Sequence, residues 1–219
     1  MNSAPKGPAR GTSTPATLAY AEAFVPETDG AAAARRRAEE LGLESPSTGV
    51  AAALTLLAKV VSARAVAEIG TGTGVSALAL VAGMAPDGVL TSIDAEAEHQ
   101  LAARAALTAE GIPSRRVRLI AGQALSVLPK LTDGAYDLVF VDGDPLEYVE
   151  YVAQAERLLR AGGLLVLHHA LWQGLVADER SDDDEPLIIR EALAAVQENE
   201  AFTPALLPVG DGLLVAVRS

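Results

Sequence analysis

Five short apolar runs, each followed by a segment with helical spacing, limit the folds that are open to this chain. The apolar runs cover residues 65–69, 89–93, 117–120, 138–141 and 164–167. The helical segments that connect them are expected at about residues 76–83, 95–110, 123–131 and 147–160. Near-continuous apolar strands that alternate with amphipathic helices are typical of a parallel sheet covered on both faces.

The end of the chain breaks this alternation. Two apolar runs, residues 202–208 and 213–217, are separated only by a turn that contains Gly210, Asp211 and Gly212. A Gly-Asp-Gly turn between two strand-like runs indicates an antiparallel hairpin. The sequence therefore predicts an α/β fold with a seven-stranded, mostly parallel sheet, helices on both faces and a C-terminal antiparallel hairpin.

The remaining segments indicate one domain preceded by a tail. Half of the 219 residues are apolar, which is enough for one sizeable core. Residues 1–15 are rich in Pro, Gly, Ser and Thr and are expected to form a flexible tail. We expect a single domain over residues 16–219, in which residues 16–62 form N-terminal helices. The expected bounds of those helices are about 18–25, 31–41 and 47–61.

The charge and composition of the chain restrict the classes of partner that it can bind. The formal net charge is −12 and argues against nucleic acid, because neutralising phosphates requires a basic surface. No apolar run approaches the length of a membrane span, so no membrane partner is expected. There is no cysteine for a disulfide framework, and the first residues lack the apolar centre of a signal peptide. A cytoplasmic protein is therefore expected.

A glycine-rich loop lies between the first strand and the following helix. Residues 68–74 read Glu-Ile-Gly-Thr-Gly-Thr-Gly. Such glycines let the backbone turn sharply and bring its amides close to a ligand. Dinucleotide-binding loops use Gly-x-Gly-x-x-Gly, whose third glycine would here fall on Val75 or Ala77. The dinucleotide pattern is therefore broken in both registers, which disfavours a nicotinamide-dependent oxidoreductase.

Two acidic residues at strand ends restrict the class of ligand that this loop can bind. Asp94 ends the second strand and is placed to accept hydrogen bonds from ribose hydroxyls, as in both dinucleotide and S-adenosylmethionine sites. Glu68 ends the first strand, where a carboxylate can receive the ammonium group of a methionine moiety. A dinucleotide has no such group, so Glu68 favours S-adenosylmethionine.

Several motifs in order along residues 40–219 resemble one enzyme family. They are EIGTGTGVS at 68–76, TSID at 91–94, YDLVFVDGD at 136–144, AGGLL at 161–165 and the closing hairpin. These motifs resemble the class I S-adenosylmethionine-dependent O-methyltransferases related to caffeoyl-CoA and catechol O-methyltransferases, bacterial O-methyltransferase family 3. The resemblance implies a Rossmann-like fold, S-adenosylmethionine as cofactor, a small hydroxylated and aromatic acceptor, and a homodimer.

The resemblance also implies a set of cofactor-binding residues. Its members lie at strand ends, in the glycine loop and in a segment that closes over the methionine part. They are Glu44, Glu68, Gly70, Thr71, Ser76, Asp94, Gln123, Ala124 and Asp142. In this set Ser76 would meet the methionine carboxylate. Gln123 and Ala124 would lie beside adenine, and Glu44 would contribute mainly backbone.

The catalytic end departs from the family pattern. The family binds a divalent metal with an Asp after the fourth strand and an Asp-Asn pair after the fifth, and it uses a Lys as base. Asp142 matches the first ligand, but His168 and His169 replace the pair and Pro145 replaces the Lys. Magnesium prefers a hard oxygen shell, so this donor set suits it badly.

Three alternatives follow for the chemistry. The favoured one has no metal, with His168 as general base opposite Asp142, because the pKa of histidine lies near working pH. In the second, Asp142 and one or both histidines bind zinc, iron or another metal that accepts imidazole. Adjacent strand residues face opposite sides, so a two-histidine site requires the chain to turn there. In the third, the protein binds the cofactor without catalysis. The acceptor pocket is expected near Asp142, Tyr148, His168 and Trp172.

Overall fold

The structure is a computed structural model that describes residues 14–219, so almost all of the expected tail over residues 1–15 lies outside the described residues. One sheet has helices on both of its faces. Its strands are β1 (Ala65–Ile69), β2 (Val89–Asp94), β3 (Val117–Ala121), β4 (Tyr136–Val141), β5 (Leu159–Leu167), β6 (Phe202–Leu207) and β7 (Leu213–Arg218). The helices are α1 (Pro15–Glu22), α2 (Asp29–Glu40), α3 (Thr48–Val60), α4 (Val75–Gly83), α5 (Ala97–Ala109), α6 (Ala124–Val127), α7 (Tyr148–Leu158) and α8 (Asp184–Glu198).

The seven strands form one sheet in the order β3-β2-β1-β4-β5-β7-β6. The first five are parallel, and β7 runs antiparallel to both β5 and β6. This topology confirms the predicted fold class, including the closing hairpin. The chain reverses its direction of travel across the sheet between β1 and β4. Ligands of open α/β sheets bind outside the carboxyl ends of the strands at such a point.

Alternate side chains of the central strands enter two apolar clusters, one on each face. In β4, for example, Leu138 and Phe140 join the cluster under α3 and α4, whereas Val139 and Val141 join the cluster under α7 and α8. Both faces are therefore covered, as the continuous apolar runs predict. Within residues 14–219, no helix combines the length and the apolar character needed to cross a lipid bilayer.

Three element bounds differ from the sequence prediction. α1 begins at Pro15, capped by Thr14, and ends at Glu22. β5 begins at Leu159, earlier than the apolar run at 164–167, because its first residues already pair with β4 beside Tyr136. The helix expected over residues 123–131 is short. α6 gives way to a 3₁₀ turn that includes Pro129, whose ring cannot continue an α-helix.

The side chain of Glu22, the last residue of α1, contacts two other segments of the chain. One carboxylate oxygen of Glu22 accepts hydrogen bonds from Ser47 Oγ at 2.6 Å and from the amide of Gly49 at 2.8 Å. The other oxygen accepts from the amide of Gly210 at 2.6 Å. These three donors lower the pKa of the half-buried Glu22 carboxyl despite the opposing effect of its burial. A single carboxylate therefore holds α1, the start of α3 and the hairpin turn together.

The carboxyl ends of β1 and β4 approach each other closely just above the sheet. The amide of Asp142 donates to the carbonyl oxygen of Ile69 at 2.8 Å. Gly70 follows with a φ of +90°, and a Cβ atom there would collide with the carbonyl oxygen of Asp142. Only glycine allows this approach, because any other side chain would both clash and strain the backbone.

We predict that Gly70→Ala destabilises the fold much more than Gly72→Ala. Gly72 also has a positive φ, +50°, but open space surrounds its missing Cβ. Gly72→Ala should therefore cost about 1 kcal/mol from backbone strain alone. Gly70→Ala should cost at least about 3 kcal/mol, because overpacking adds to strain. Urea denaturation measures both free energies of unfolding, and equal losses would contradict the proposed close approach.

Candidate active site

The glycine loop, residues 70–74, lies at the carboxyl edge of the sheet between β1 and α4. The amide of Gly70 donates to the carbonyl oxygen of Ile93 at 2.9 Å, which ties the loop to β2. The amide of Gly72 donates to Asp94 Oδ2, also at 2.9 Å. The side chain of Thr71 shares a hydrogen bond of 2.6 Å with the hydroxyl of Ser92. The loop is therefore fixed by strand β2 on one side while its other side faces a cavity.

The cavity beside this loop combines glycine backbone with an acidic lining. Its lining residues come from the loop, from the ends of β2 and β4, and from the segments before α3 and after β5. They are Leu43, Glu44, Ser45, Pro46, Gly70, Thr71, Gly72, Thr73, Val75, Ser76, Asp94, His99, Asp142, Gly143, Pro145, His169 and Trp172. Three carboxylates and no lysine or arginine are among these described residues. Such a lining favours a ligand that carries positive charge, as a sulfonium does.

Six of the nine predicted cofactor residues lie together in this cavity. They are Glu44, Gly70, Thr71, Ser76, Asp94 and Asp142. Gln123 is exposed and Ala124 is buried, and neither is among the lining residues. Both follow β3 at the same edge of the sheet, so their predicted contact with adenine stays a prediction.

Glu68 lies beneath the cavity rather than in its wall. Its side chain is fully buried and accepts a hydrogen bond from Ser92, while Glu68 Oε1 has no hydrogen-bond partner among the described residues. Burial raises the pKa of Glu68 to about 8, with a smaller contribution from the nearby carboxylates Asp142 and Asp94 and against the opposing effect of the hydrogen bond from Ser92. Its carboxyl is therefore mainly protonated at neutral pH. The predicted contact of Glu68 with the cofactor stays a prediction.

Asp94 is held in place by three donors. Besides Gly72, the amide of Glu96 contacts Asp94 Oδ1 at 2.9 Å, and Nδ1 of His99 lies 3.0 Å from the same oxygen. Two carboxylate oxygens offer about four lone-pair directions, so capacity remains for a ribose hydroxyl. His99 was not predicted from the sequence. It lies five residues after Asp94, in the first turns of α5, and this position places it beside that carboxylate.

Asp142 and the two histidines meet at the far end of the cavity. His168 Nδ1 lies 2.8 Å from Asp142 Oδ1, and the ring of His168 is only 2% exposed. His169 has a φ of +53°, so the chain turns directly after β5. The two imidazole rings consequently lie on the same side, with ring centroids 3.9 Å apart. Adjacent residues of a regular strand would point to opposite sides. The turn at His169 is the one that a two-histidine site requires.

Two residues support the histidines from behind. His169 Nδ1 lies 2.9 Å from Asp211 Oδ2, in the hairpin turn between β6 and β7. The hydroxyl of Tyr148 donates to the carbonyl oxygen of His168 at 3.1 Å, and its side chain is fully buried. Tyr148 therefore positions the backbone of His168 and is not among the residues that line this cavity. Trp172 does line it, packed edge-on to His169 with centroids 5.7 Å apart.

The donor set at this end does not fit the magnesium-type metal that the family resemblance implies. Asp142, His168 and His169 each offer one ligand atom within 4.8 Å of the others. Two of these three atoms are imidazole nitrogens, whereas magnesium requires a nearly complete shell of oxygens. The lysine expected as base is Pro145, which has no ionisable group.

Comparisons with known proteins agree with this site. A family model described as O-methyltransferase matches residues 35–219. A Mycobacterium tuberculosis protein named as a probable O-methyltransferase is 48% identical over 211 residues, which are 96% of this chain and 93% of that protein. The chain therefore belongs to the O-methyltransferase family.

Solved structures show the same fold. A Corynebacterium glutamicum protein is 33% identical with a TM-score of 0.85, covering 91% of this chain and 94% of that chain. The O-methyltransferase TomG of Streptomyces achromogenes, involved in tomaymycin synthesis and solved with S-adenosylmethionine, is 27% identical with a TM-score of 0.84. That match covers 92% of this chain and 95% of TomG. The predicted class, an S-adenosylmethionine-dependent O-methyltransferase, is confirmed.

We predict that Glu68→Gln removes a pH dependence of stability. Between the unfolded pKa of 4.5 and the folded pKa of about 8, the folded chain binds one proton more than the unfolded chain at this position. Stability from Glu68 therefore falls as pH rises through that window, by up to about 1.4 kcal/mol per pH unit. Glutamine cannot ionise, so the variant should gain on the wild type as pH rises. Urea denaturation at several pH values measures this difference, and parallel curves would contradict it.

Proposed function

We propose that this protein transfers the methyl group of S-adenosylmethionine to a hydroxyl group of a small aromatic acceptor, without a magnesium ion. The observation that carries the proposal is the contact of 2.8 Å between Asp142 and His168 at the end of an acidic cavity lined by the glycine loop. The bound cofactor supplies an electrophilic methyl group on a positively charged sulfur.

The chain's own residues would bind and orient that cofactor. Asp94 is placed to accept from ribose hydroxyls, and Ser76 lies at the start of α4, where a carboxylate is favoured by the helix N-terminus. Asp142 lies on the opposite side of the loop, with its carboxylate fixed by His168. Its negative charge attracts the sulfonium and keeps the methyl group near the histidines.

The acceptor would lie beyond Asp142. Pro145, His169 and Trp172 line that end of the cavity, and Trp172 offers a flat surface on which an aromatic ring can stack. His168 holds the Asp142 carboxylate, so both residues predicted to be catalytic remain part of this proposal. The alternative, a protein that binds the cofactor without transferring its methyl group, keeps the same cavity.

We predict methyl transfer that needs no added divalent metal. The protein should convert S-adenosylmethionine to S-adenosylhomocysteine in the presence of one or more members of a panel of phenols and catechols. Excess chelator should leave the rate unchanged, because no hard oxygen shell is available for magnesium. Asp142→Asn should lower the rate while the fold is retained. Calorimetric binding of S-adenosylmethionine without turnover on any acceptor would favour the non-catalytic alternative, and loss of activity with chelator would contradict the metal-free proposal.

We also propose that the protein is a cytoplasmic homodimer. α1 buries none of its side chains, and Tyr20 and Phe24 are 72% and 70% exposed. Leu56 and Val60 of α3 are also largely exposed. Clustered exposed apolar side chains typically mark an interface. The absence of cysteine supports the cytoplasm, because disulfides characterise oxidising compartments. The net charge of −12 disfavours nucleic acid as a partner.

We predict that charges at exposed apolar residues of α3 and of the segment directly after α1 separate the dimer. Phe24→Asp combined with Val60→Asp should halve the mass measured by light scattering, because desolvating carboxylates in an interface is costly. Leu101→Asp is the matched control, since Leu101 of α5 is equally exposed but lies away from α1. A monomeric wild type, or a dimer unaffected by both variants, would contradict the proposed interface.

A further inference from the structure

We infer that His169, positioned by Asp211, is the residue that accepts the proton of the acceptor hydroxyl. Sequence alone favoured His168 for this role. The inference rests on the proposed O-methyl transfer and adds the identity of the proton acceptor to it. The two imidazole rings belong to adjacent residues, but they have different hydrogen-bond partners. The inference follows from that difference.

His168 does not line the cavity beside the glycine loop and instead lines a neighbouring cavity with His169 and Asp211. Nδ1 of His168 is engaged by Asp142 Oδ1 at 2.8 Å. The other ring nitrogen, Nε2, faces the hairpin turn at Gly210. This arrangement makes His168 a donor that fixes the carboxylate of Asp142.

His169 has the opposite arrangement. Its Nδ1 lies 2.9 Å from Asp211 Oδ2, and a carboxylate can only accept, so Nδ1 is the donor in this contact. Nε2 is the ring nitrogen that Asp211 does not engage. This nitrogen lies 3.6 Å from Asp142 Oδ1, and both residues line the cofactor cavity. Nε2 of His169 is therefore at the place where the acceptor hydroxyl must enter.

Asp211 is itself fixed by the backbone. Its second oxygen, Oδ1, accepts from the amide of Gln173 at 2.6 Å. Its carbonyl oxygen accepts from the amide of Leu171 at 3.0 Å. The carboxylate therefore has a defined position that depends on the turn after β5 and not on His169. The titratable groups nearest to His169 are Asp142, Asp211 and the ring of His168. Glu44 lines the same cavities, and Arg35 and Glu39 line the one that His168 and Asp211 share with His169.

The acceptor oxygen forms a bond to the methyl carbon as the carbon–sulfur bond breaks, and the sulfur keeps the electron pair and becomes a neutral thioether. The hydroxyl proton moves to Nε2 of His169. The resulting imidazolium is stabilised by Asp211 through Nδ1 and later releases its proton to solvent. Asp211 acts through His169 and is a positioning residue.

The first test compares two asparagine variants. Asparagine places its amide nitrogen where Nδ1 of histidine lies, so it keeps the donated hydrogen bond but lacks the accepting Nε2. With catechol as acceptor, His169→Asn should lower kcat by about 10²–10⁴-fold, the range for a general base. His168→Asn should lose only a small part of that. Calorimetry should show unchanged binding of S-adenosylhomocysteine by both. The reverse order of losses would overturn the inference.

The second test separates chemistry from structure. The hydroxyl of 4-nitrocatechol is largely ionised at mildly alkaline pH, so it needs no proton acceptor. His169→Asn and Asp211→Asn should therefore lose far less kcat on 4-nitrocatechol than on catechol. A merely structural role would lower kcat equally on both acceptors, and that result would overturn the inference.

A third measurement does not depend on turnover. If the wild type methylates no phenol, the proposed function fails on this acceptor class, but the ring state of His169 is still measurable by ¹⁵N NMR. We expect protonated Nδ1 and unprotonated Nε2 in the wild type, and loss of that pattern in Asp211→Asn. The same tautomer in both proteins would overturn the inference. So would a stoichiometric bound metal that is lost in His169→Asn and is required for activity.

Discussion

The site depends on how closely two strands approach at the point where the chain reverses its course across the sheet. β1 and β4 are neighbours in space but are separated by β2 and β3 along the chain. The absence of a side chain at Gly70 lets the backbone of Asp142 come into contact with the loop. That contact places a carboxylate from β4 opposite the backbone amides that precede α4. Without it, the cofactor loop and the catalytic end would be two separate features of one sheet edge.

The close approach of β1 and β4 brings several carboxyl groups together. These groups differ in their hydrogen-bond partners and in their protonation. Asp94 is satisfied by two amides and His99, and Asp142 is contacted by His168. Glu68 lies below both without a comparable set of donors. Burial therefore keeps its carboxyl protonated at pH values below its pKa of about 8. One carboxyl thus stays neutral while two are available to a cationic ligand. The arrangement avoids three like charges around a loop that must remain compact.

Much of the fold could be predicted from local pattern. β1 follows its apolar run residue for residue, and the hairpin appears where the Gly-Asp-Gly turn indicated it. The loop motif placed Gly70, Thr71 and Ser76 in one cavity. What could not be predicted depended on tertiary contacts. The full burial of Glu68 and Tyr148 follows from packing, and periodicity reports only that a residue faces the core, not what it meets there.

Prediction from the sequence was also limited at the catalytic end, where the arrangement of side chains depends on tertiary contacts. Sequence identified the histidine pair but not which of the two lines the cavity beside the glycine loop, because that depends on the left-handed conformation of His169. Its partner Asp211 lies 42 residues further along the chain. In the sequence Asp211 is simply a turn residue. Only the antiparallel insertion of β7 beside β5 shows that its carboxylate has a second use.

The position of β7 also has a consequence for biosynthesis. β7 is made after every other strand of the sheet, yet it lies between β5 and β6 and not at an edge. While the chain is still emerging from the ribosome, β5 has an unpaired edge and His169 has no carboxylate behind it. The contact between His169 and Asp211 can therefore form only after nearly the whole chain has been made.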